Sequence, residues 1–134
     1  MADSIRLEVV TPNAMILSID VDELTAVGAY GQFGVLPGHR PMLTTLGVGV
    51  LTYNSGGSRH SMAIGGGYAE IDFNKVTILA ETAELSAKID VERARDSQRR
   101  AEDILKSHTA YDKEYAEAEA ALERSMVRQE AAKS

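Results

Sequence analysis

Four arginines offer the clearest chemistry in this chain of 134 residues. Arg93 and Arg100 lie seven residues apart, and Arg124 and Arg128 lie four apart. At helical spacing each pair falls on one face. A guanidinium presents planar, paired donors, which match the oxygens of a phosphate or carboxylate. Acidic residues are interspersed among them, so two readings stand side by side. One is a solvated, salt-bridged surface. The other is a basic cleft for an anionic ligand or an acidic partner surface. The remaining candidates point away from catalysis. Asp20 and Asp22 occupy alternate positions of a strand and read as a solvated face, because acid–base work needs a pocket that shifts their pKa values. His39, His60 and His108 are far apart and share no metal-ligand spacing. Gly65-Gly66-Gly67 lacks the GxxxxGK[ST] pattern, and no helix opens after it, so these glycines fit a bulge or a close strand crossing. No nucleophile stands beside a base in a workable arrangement. The residues specify no enzyme chemistry.

The elements that must carry these arginines differ sharply from the rest of the chain. All eleven glycines and all three prolines precede Ile89, and none follows it. Ile5-Arg6-Leu7-Glu8-Val9-Val10 alternates apolar and polar, as a strand with one wet face does. Thr11-Pro12-Asn13-Ala14 turns the chain. Leu17, Ile19, Val21 and Leu24 continue the pattern, with a step between Val21 and Leu24 that predicts a bulge or bend near Asp22. Gln32 to Leu36, Met42 to Leu51, Arg59 to Ile64, Tyr68 to Phe73 and Val76 to Ala80 follow as strands, separated by turn chemistry such as Asn54-Ser55-Gly56-Gly57-Ser58. About seven to ten short strands predict an antiparallel sandwich or flattened barrel over residues 1–85. Glu81 to Lys88 shows no alternation and is expected to be an extended linker.

Residues 86–134 read as an antiparallel helical hairpin. Asp90 is the expected N-cap of the first helix. Val91, Ala94, Gln98, Ala101 and Leu105 form its inward stripe, with Ile104 beside them. Ser107-His108-Thr109 is a soft break, and Thr109 with Asp112 resembles a capping box for the second helix. Tyr111, Tyr115, Ala118, Leu122, Ser125 and Met126 form the facing stripe. A seam rich in alanine buries little apolar surface, at about 25 cal/mol per Å², so a weakly held hairpin is expected.

Net charge is −6, which gives a nucleic-acid partner no general electrostatic support. The absence of cysteine removes disulfides and thiolate metal sites. The N-terminus shows no basic start followed by an apolar stretch, so no signal peptide is expected. No apolar run approaches the roughly 20 residues of a membrane span. Any membrane association is therefore expected to go through a partner.

Phe33-Gly34-Val35-Leu36-Pro37-Gly38-His39-Arg40-Pro41 is a rigid turn after an apolar strand, fitting either a sandwich corner or a preformed docking surface. Extended to Gly31 and Thr44, it resembles the G-x-[FL]-G-[IV]-x-P-G-H-x-P-x-L-T segment of the epsilon subunits of bacterial rotary ATP synthases. Leu7 to Pro12, Gly65 to Ile71 and Val76 to Ala83 support the resemblance, which spans nearly the whole chain. It implies a ten-stranded β sandwich followed by a two-helix hairpin, in a non-catalytic rotor subunit of an F-type complex on the cytoplasmic face of the cell membrane. The implied partners are the gamma subunit, the ring of c subunits, and the beta and alpha subunits of the catalytic head. Gln32 matches the position that approaches the c ring, and His39 lies in the part that meets gamma. Ile89-Asp90-Val91-Glu92-Arg93-Ala94 resembles the family's [IL]-D-x-x-R-A signature. It implies an ATP site of Glu84, Ile89, Asp90, Arg93, Ala94, Arg100, Arg124 and Arg128. No cofactor is required, and ATP enters as a regulatory ligand. Two roles follow from the resemblance: a hairpin that inhibits ATP hydrolysis when it extends, or an ATP sensor whose ligand stabilises the folded hairpin.

Overall fold

The structure, a computed structural model, describes residues 4–133. The outermost ends of both expected units, residues 1–3 with their part of the signal-peptide reading and residue 134, lie outside the described residues. The strands are β1 (Ile5–Thr11), β2 (Ala14–Val21), β3 (Glu23–Gly28), β4 (Gly31–Val35), β5 (Met42–Ser55), β6 (Ser58–Asp72), β7 (Lys75–Ala80) and β8 (Ala83–Leu85), followed by helices α1 (Val91–Ser107) and α2 (Lys113–Lys133). Alternation places side chains as the sequence indicates. Ile5, Leu7 and Val9 are buried while Arg6 is exposed. The expected bend falls at Asp22, whose N–H donates to the Asn54 carbonyl at 2.7 Å.

The strands run in the order β2-β1-β7-β6-β5-β3-β4, with β8 on β6. β5 and β6 form one long hairpin in constant register from Met42↔Ile71 to Ser55↔Ser58. β6 changes neighbours along its length, pairing with β7 at residues 67–72 and with β8 at residues 62–64. The sheet folds over so that its two ends share one core: Leu7 and Val21 from one side meet Leu24, Ala26 and Val35 from the other. The sandwich-like class of the first unit therefore stands. It is built from eight continuous strands, and two of them run long enough to serve both layers.

The segment from Glu81 to Lys88, expected as an extended linker, is extended in part but is tied to the sheet. Glu81 N–H donates to the Gly66 carbonyl at 3.0 Å, and Gly65 N–H donates to the Thr82 carbonyl at 2.9 Å. Ala83–Leu85 then pairs antiparallel with β6, and residues 86–88 form a 3-10 turn. The cause is nonlocal. A Cβ at Gly65 would collide with Thr82 Oγ1, so glycine there lets the segment lie against the sheet with Thr82 in its present rotamer.

Asp90 caps α1 as expected, its Oδ1 accepting from Arg93 N–H at 3.1 Å. Asp90→Ala removes that acceptor at a cost of about 1 kcal/mol. Hydrogen–deuterium exchange of the first-turn amides of α1 is expected to quicken about fivefold, while β-strand amides keep their rates.

At the other end one of the two expected capping-box bonds forms, with Asp112 Oδ2 accepting from Thr109 N–H at 3.0 Å, although α2 itself begins only at Lys113. That bond is the main reason the Asp112 carboxyl titrates below its ordinary range, with His108 also contributing. The later start leaves Tyr111 in the turn and 98% exposed, outside the stripe assigned to it. Met126 is also exposed, because it neighbours buried Ser125 and the helix turns it outward. The seam itself is made of Ala94 and Ala101 on α1 and Ala118 and Ser125 on α2, all buried. A polar bond crosses it, from Gln129 Nε2 to Gln98 Oε1 at 2.7 Å.

Candidate functional site

A cleft of about 510 Å³ opens where α1 faces the sandwich. Its helical wall carries Arg93, Arg124 and Arg128, its floor carries Gly65, Thr82 and Glu84, and the β1–β2 turn closes one side with Thr11 and Asn13. Local structure sets each guanidinium. Arg93 sits in the first turn of α1, the turn that Asp90 caps. Arg124 and Arg128 are one turn apart on α2. Glu84 is presented by β8, whose pairing with β6 fixes its height above the sheet.

Arg128 and Glu84 meet edge to edge. Nη2 donates to Glu84 Oε2 at 3.1 Å. Nε approaches Oε1 to 2.6 Å, but the N–H is not aligned on that oxygen and remains buried without a bonded acceptor. Among the described residues, Arg93 and Arg124 have no ion-pair partner. The cleft thus presents three guanidiniums against the carboxylates of Glu81 and Glu84, leaving it positive. Such a set can hold an anion with several oxygens.

Four of the residues expected at an ATP site converge here: Glu84, Arg93, Arg124 and Arg128. The other four are placed differently. Ile89 is buried and packs with Ala63 and Ala131. The Asp90 carboxylate is occupied by its cap bond. Ala94 is fully buried. Arg100 lies two turns along α1, exposed, with Nη2 donating to Ser97 Oγ at 3.3 Å.

Gln32 is exposed on β4. His39 lies in a turn held by its own N–H donating to the Leu36 carbonyl at 3.2 Å and by Gly38 N–H donating to the Phe73 carbonyl at 2.7 Å. Gly38 has a φ of +84°, which a side chain would disfavour.

A second surface escaped residue-by-residue reading. Cross-strand register aligns Met15 with Val10, Val10 with Leu79, and Leu79 with Tyr68. Three of the four side chains are about half exposed: Met15 55%, Leu79 49% and Tyr68 54%. This apolar row crosses four strands on the outer face of the sheet, where alternation calls for polar residues. Leu79, lying between buried Ile78 and Ala80, carries the signal in its sequence neighbours. Contiguous exposed apolar area of this kind marks an interaction face. Among the described residues no cluster of three or more His, Asp or Glu is disposed to hold a metal, and no helix is long and apolar enough to cross a membrane.

Comparison with known proteins extends this picture. Residues 4–86 match the family described as ATP synthase, Delta/Epsilon chain, beta-sandwich domain, and residues 88–133 match its long alpha-helix domain. The ATP synthase epsilon chain of Geobacter metallireducens is 49% identical over 132 residues, covering 98% of this chain and 96% of its own. That of Citrifermentans bemidjiense is 50% identical over 128 residues, covering 96% and 93%. Among solved structures, a chain of the Euglena gracilis mitochondrial ATP synthase, in an assembly of OSCP, F1 and c-ring, superposes with a TM-score of 0.84 at 25% identity, covering 98% of this chain and 82% of that one. A chain of the Tetrahymena thermophila central stalk and c-ring shares the fold, with a TM-score of 0.58 at 13% identity and 96% coverage of both.

Proposed function

The chain belongs to the ATP synthase epsilon family, and from that premise we propose that its helical hairpin regulates ATP hydrolysis by leaving the sandwich. The coarser role carries no proposal: it is a non-catalytic subunit of an F-type ATP synthase and matches the central stalk of such complexes. In the proposed arrangement the sandwich binds the gamma subunit and the c ring, with His39 and Gln32 at those contacts. The released helices bring their basic residues to an acidic stretch of a beta subunit, next to alpha, and block hydrolysis. The chain is peripheral, on the cytoplasmic face of the membrane that holds the complex.

The observation that carries this reading is the poverty of the hairpin's attachment. The second core beneath the helices consists of Ala63, Ile89 and Ala131, with Val50, Val127 and Ala132 around it. Small side chains bury little area, and about 25 cal/mol per Å² makes such docking cheap to undo. A change of about 1.4 kcal/mol shifts the folded-to-released ratio tenfold, so a modest partner preference is enough to move the hairpin. The test is truncation after Lys88 in the assembled complex. ATP hydrolysis is expected to rise several-fold under conditions that favour it. Equal rates with and without the helices end the inhibitory role and leave the coupling role in place.

A second reading is favoured by Arg93 and Arg124, the two cleft arginines that have no ion-pair partner among the described residues. Arg93 and Arg124 beside Arg128 suit a polyphosphate, and ATP bound there would bridge helices and sheet and stabilise the folded hairpin. Calorimetric titration of the isolated chain with ATP is expected to give saturable heat, and Arg93→Ala is expected to weaken binding about tenfold, the worth of one charged hydrogen bond. No heat at millimolar ATP removes the sensing role.

A further inference from the structure

The two helices do not share the work of docking. α2 makes the extensive contacts with β5, β6 and the 3-10 turn, whereas α1 packs mainly on α2. The cleft separates α1 from the sheet, with Arg93 and Ser97 facing it across open space. The contacts of α2 are concentrated in its last two turns: Val127, Ala131 and Ala132 in the second core, and Arg128 on Glu84. That core includes Ile89, the residue immediately before the α1 cap, so the end of α2 lies over the point where the chain leaves the sandwich. The Arg128–Glu84 pair is partly withdrawn from water, at 23% and 36% side-chain exposure. Its hydrogen bond from Nη2 to Glu84 Oε2 at 3.1 Å makes it directional where the alanine contacts are not.

We propose that the last two turns of α2 are the clasp of the folded hairpin, and that the Arg128–Glu84 ion pair is its coupling element. This deepens the regulatory reading and rests on it for the consequence of opening. Opening itself belongs to the isolated chain. Ala63 lies beneath the clasp and is 6% exposed, while Ala69 lies in the sandwich core and is 0% exposed. Because the chain has no cysteine, a thiol placed at either position is the sole reactive group. Its labelling rate with an aromatic disulfide reagent then measures how often that site opens.

In Ala63→Cys, added Arg128→Gln or Glu84→Gln is expected to speed labelling about tenfold, the loss of one charged hydrogen bond. The two changes together are expected to do no more than either alone, as coupled residues do. Ala69→Cys is expected to label at the same slow rate in every background. An unchanged rate at Ala63→Cys, or effects that multiply in the double variant, overturns the clasp. So does equal acceleration at Ala69→Cys, which assigns the effect to unfolding of the sandwich. None of these readouts involves hydrolysis, so the clasp and the inhibitory role fail or survive separately.

Discussion

Leu79→Glu is expected to leave the isolated chain folded and to weaken strongly the binding to the gamma subunit that we propose. Leu79 is 49% exposed and sits mid-row between Val10 and Tyr68 on the outer face of the sheet. The change leaves the core residues Ile78 and Ala80 and the strand ladder in place, so its effect on stability is expected to stay within about 1 kcal/mol. At an interface the cost is of another order. A carboxylate pressed into an apolar contact loses its water without gaining a partner, and central contacts of this kind are worth about 2–4 kcal/mol. Binding is therefore expected to weaken by roughly 30- to 1,000-fold at 1.4 kcal/mol per tenfold. The measurements are capture by purified gamma subunit and a melting curve of the free chain. Gln32→Ala, on exposed β4 away from this row, is expected to reduce capture little. If Leu79→Glu binds as the unaltered chain does, the apolar row is not the gamma face.

The parts of this architecture that local sequence revealed are those whose cause is local. β1 shows itself because Ile5, Leu7 and Val9 alternate with residues that water accepts. Asp90 shows itself because a cap bond joins residues three apart. Where two distant segments decide together, local reading fell short. β8 carries only three residues, and it is a strand because it pairs with residues 62–64 of β6, some twenty positions earlier, beside the Gly65–Thr82 contact. Periodicity alone puts Tyr111 and Met126 on the stripe facing α1, but both are exposed, while Val127, Ala131 and Ala132 pack toward the sheet instead. The cleft is more nonlocal still. Glu84 and Arg128 are 44 residues apart, and neither spacing nor composition brings them together. The family resemblance named both, yet it also named Arg100, which the structure places outside the cleft.

The same distinction separates the two halves of the molecule energetically. The sandwich holds its core with Leu, Ile and Val from seven strands, a commitment that small perturbations do not undo. The hairpin rests on alanine contacts, the Gln129–Gln98 hydrogen bond across its seam and the Arg128–Glu84 ion pair to β8. A device meant to keep one half fixed while the other moves needs this asymmetry, since elements that move are drawn from the low-stability end of a structure.

Gly67→Ala is expected to unsettle the fixed half. Gly67 has a φ of +133°, a region closed to other residues. Backbone strain is the smaller part of the cost. A Cβ there would collide with the Leu79 carbonyl oxygen and lie 2.9 Å from Ala80 Cα. Both are backbone atoms of β7, and Gly67↔Ala80 is the last pair of the β6–β7 ladder before β6 passes to β8. No side chain can rotate away to relieve the contact, so the ladder itself must shift, carrying with it the bond from Glu81 N–H to Gly66. A loss of about 3–5 kcal/mol is expected, which lowers the melting temperature of a domain this size by about 15 °C. Gly31→Ala is the matched control. Gly31 has a comparable φ, +119°, but nothing lies within 4 Å of its Cβ position, so only conformational strain of about 2 kcal/mol is expected. If the two variants melt together, conformation alone explains the cost at Gly67. A wide gap between them assigns the cost to the close crossing of β6 and β7, the feature on which the seating of β8 and the clasp above it depends.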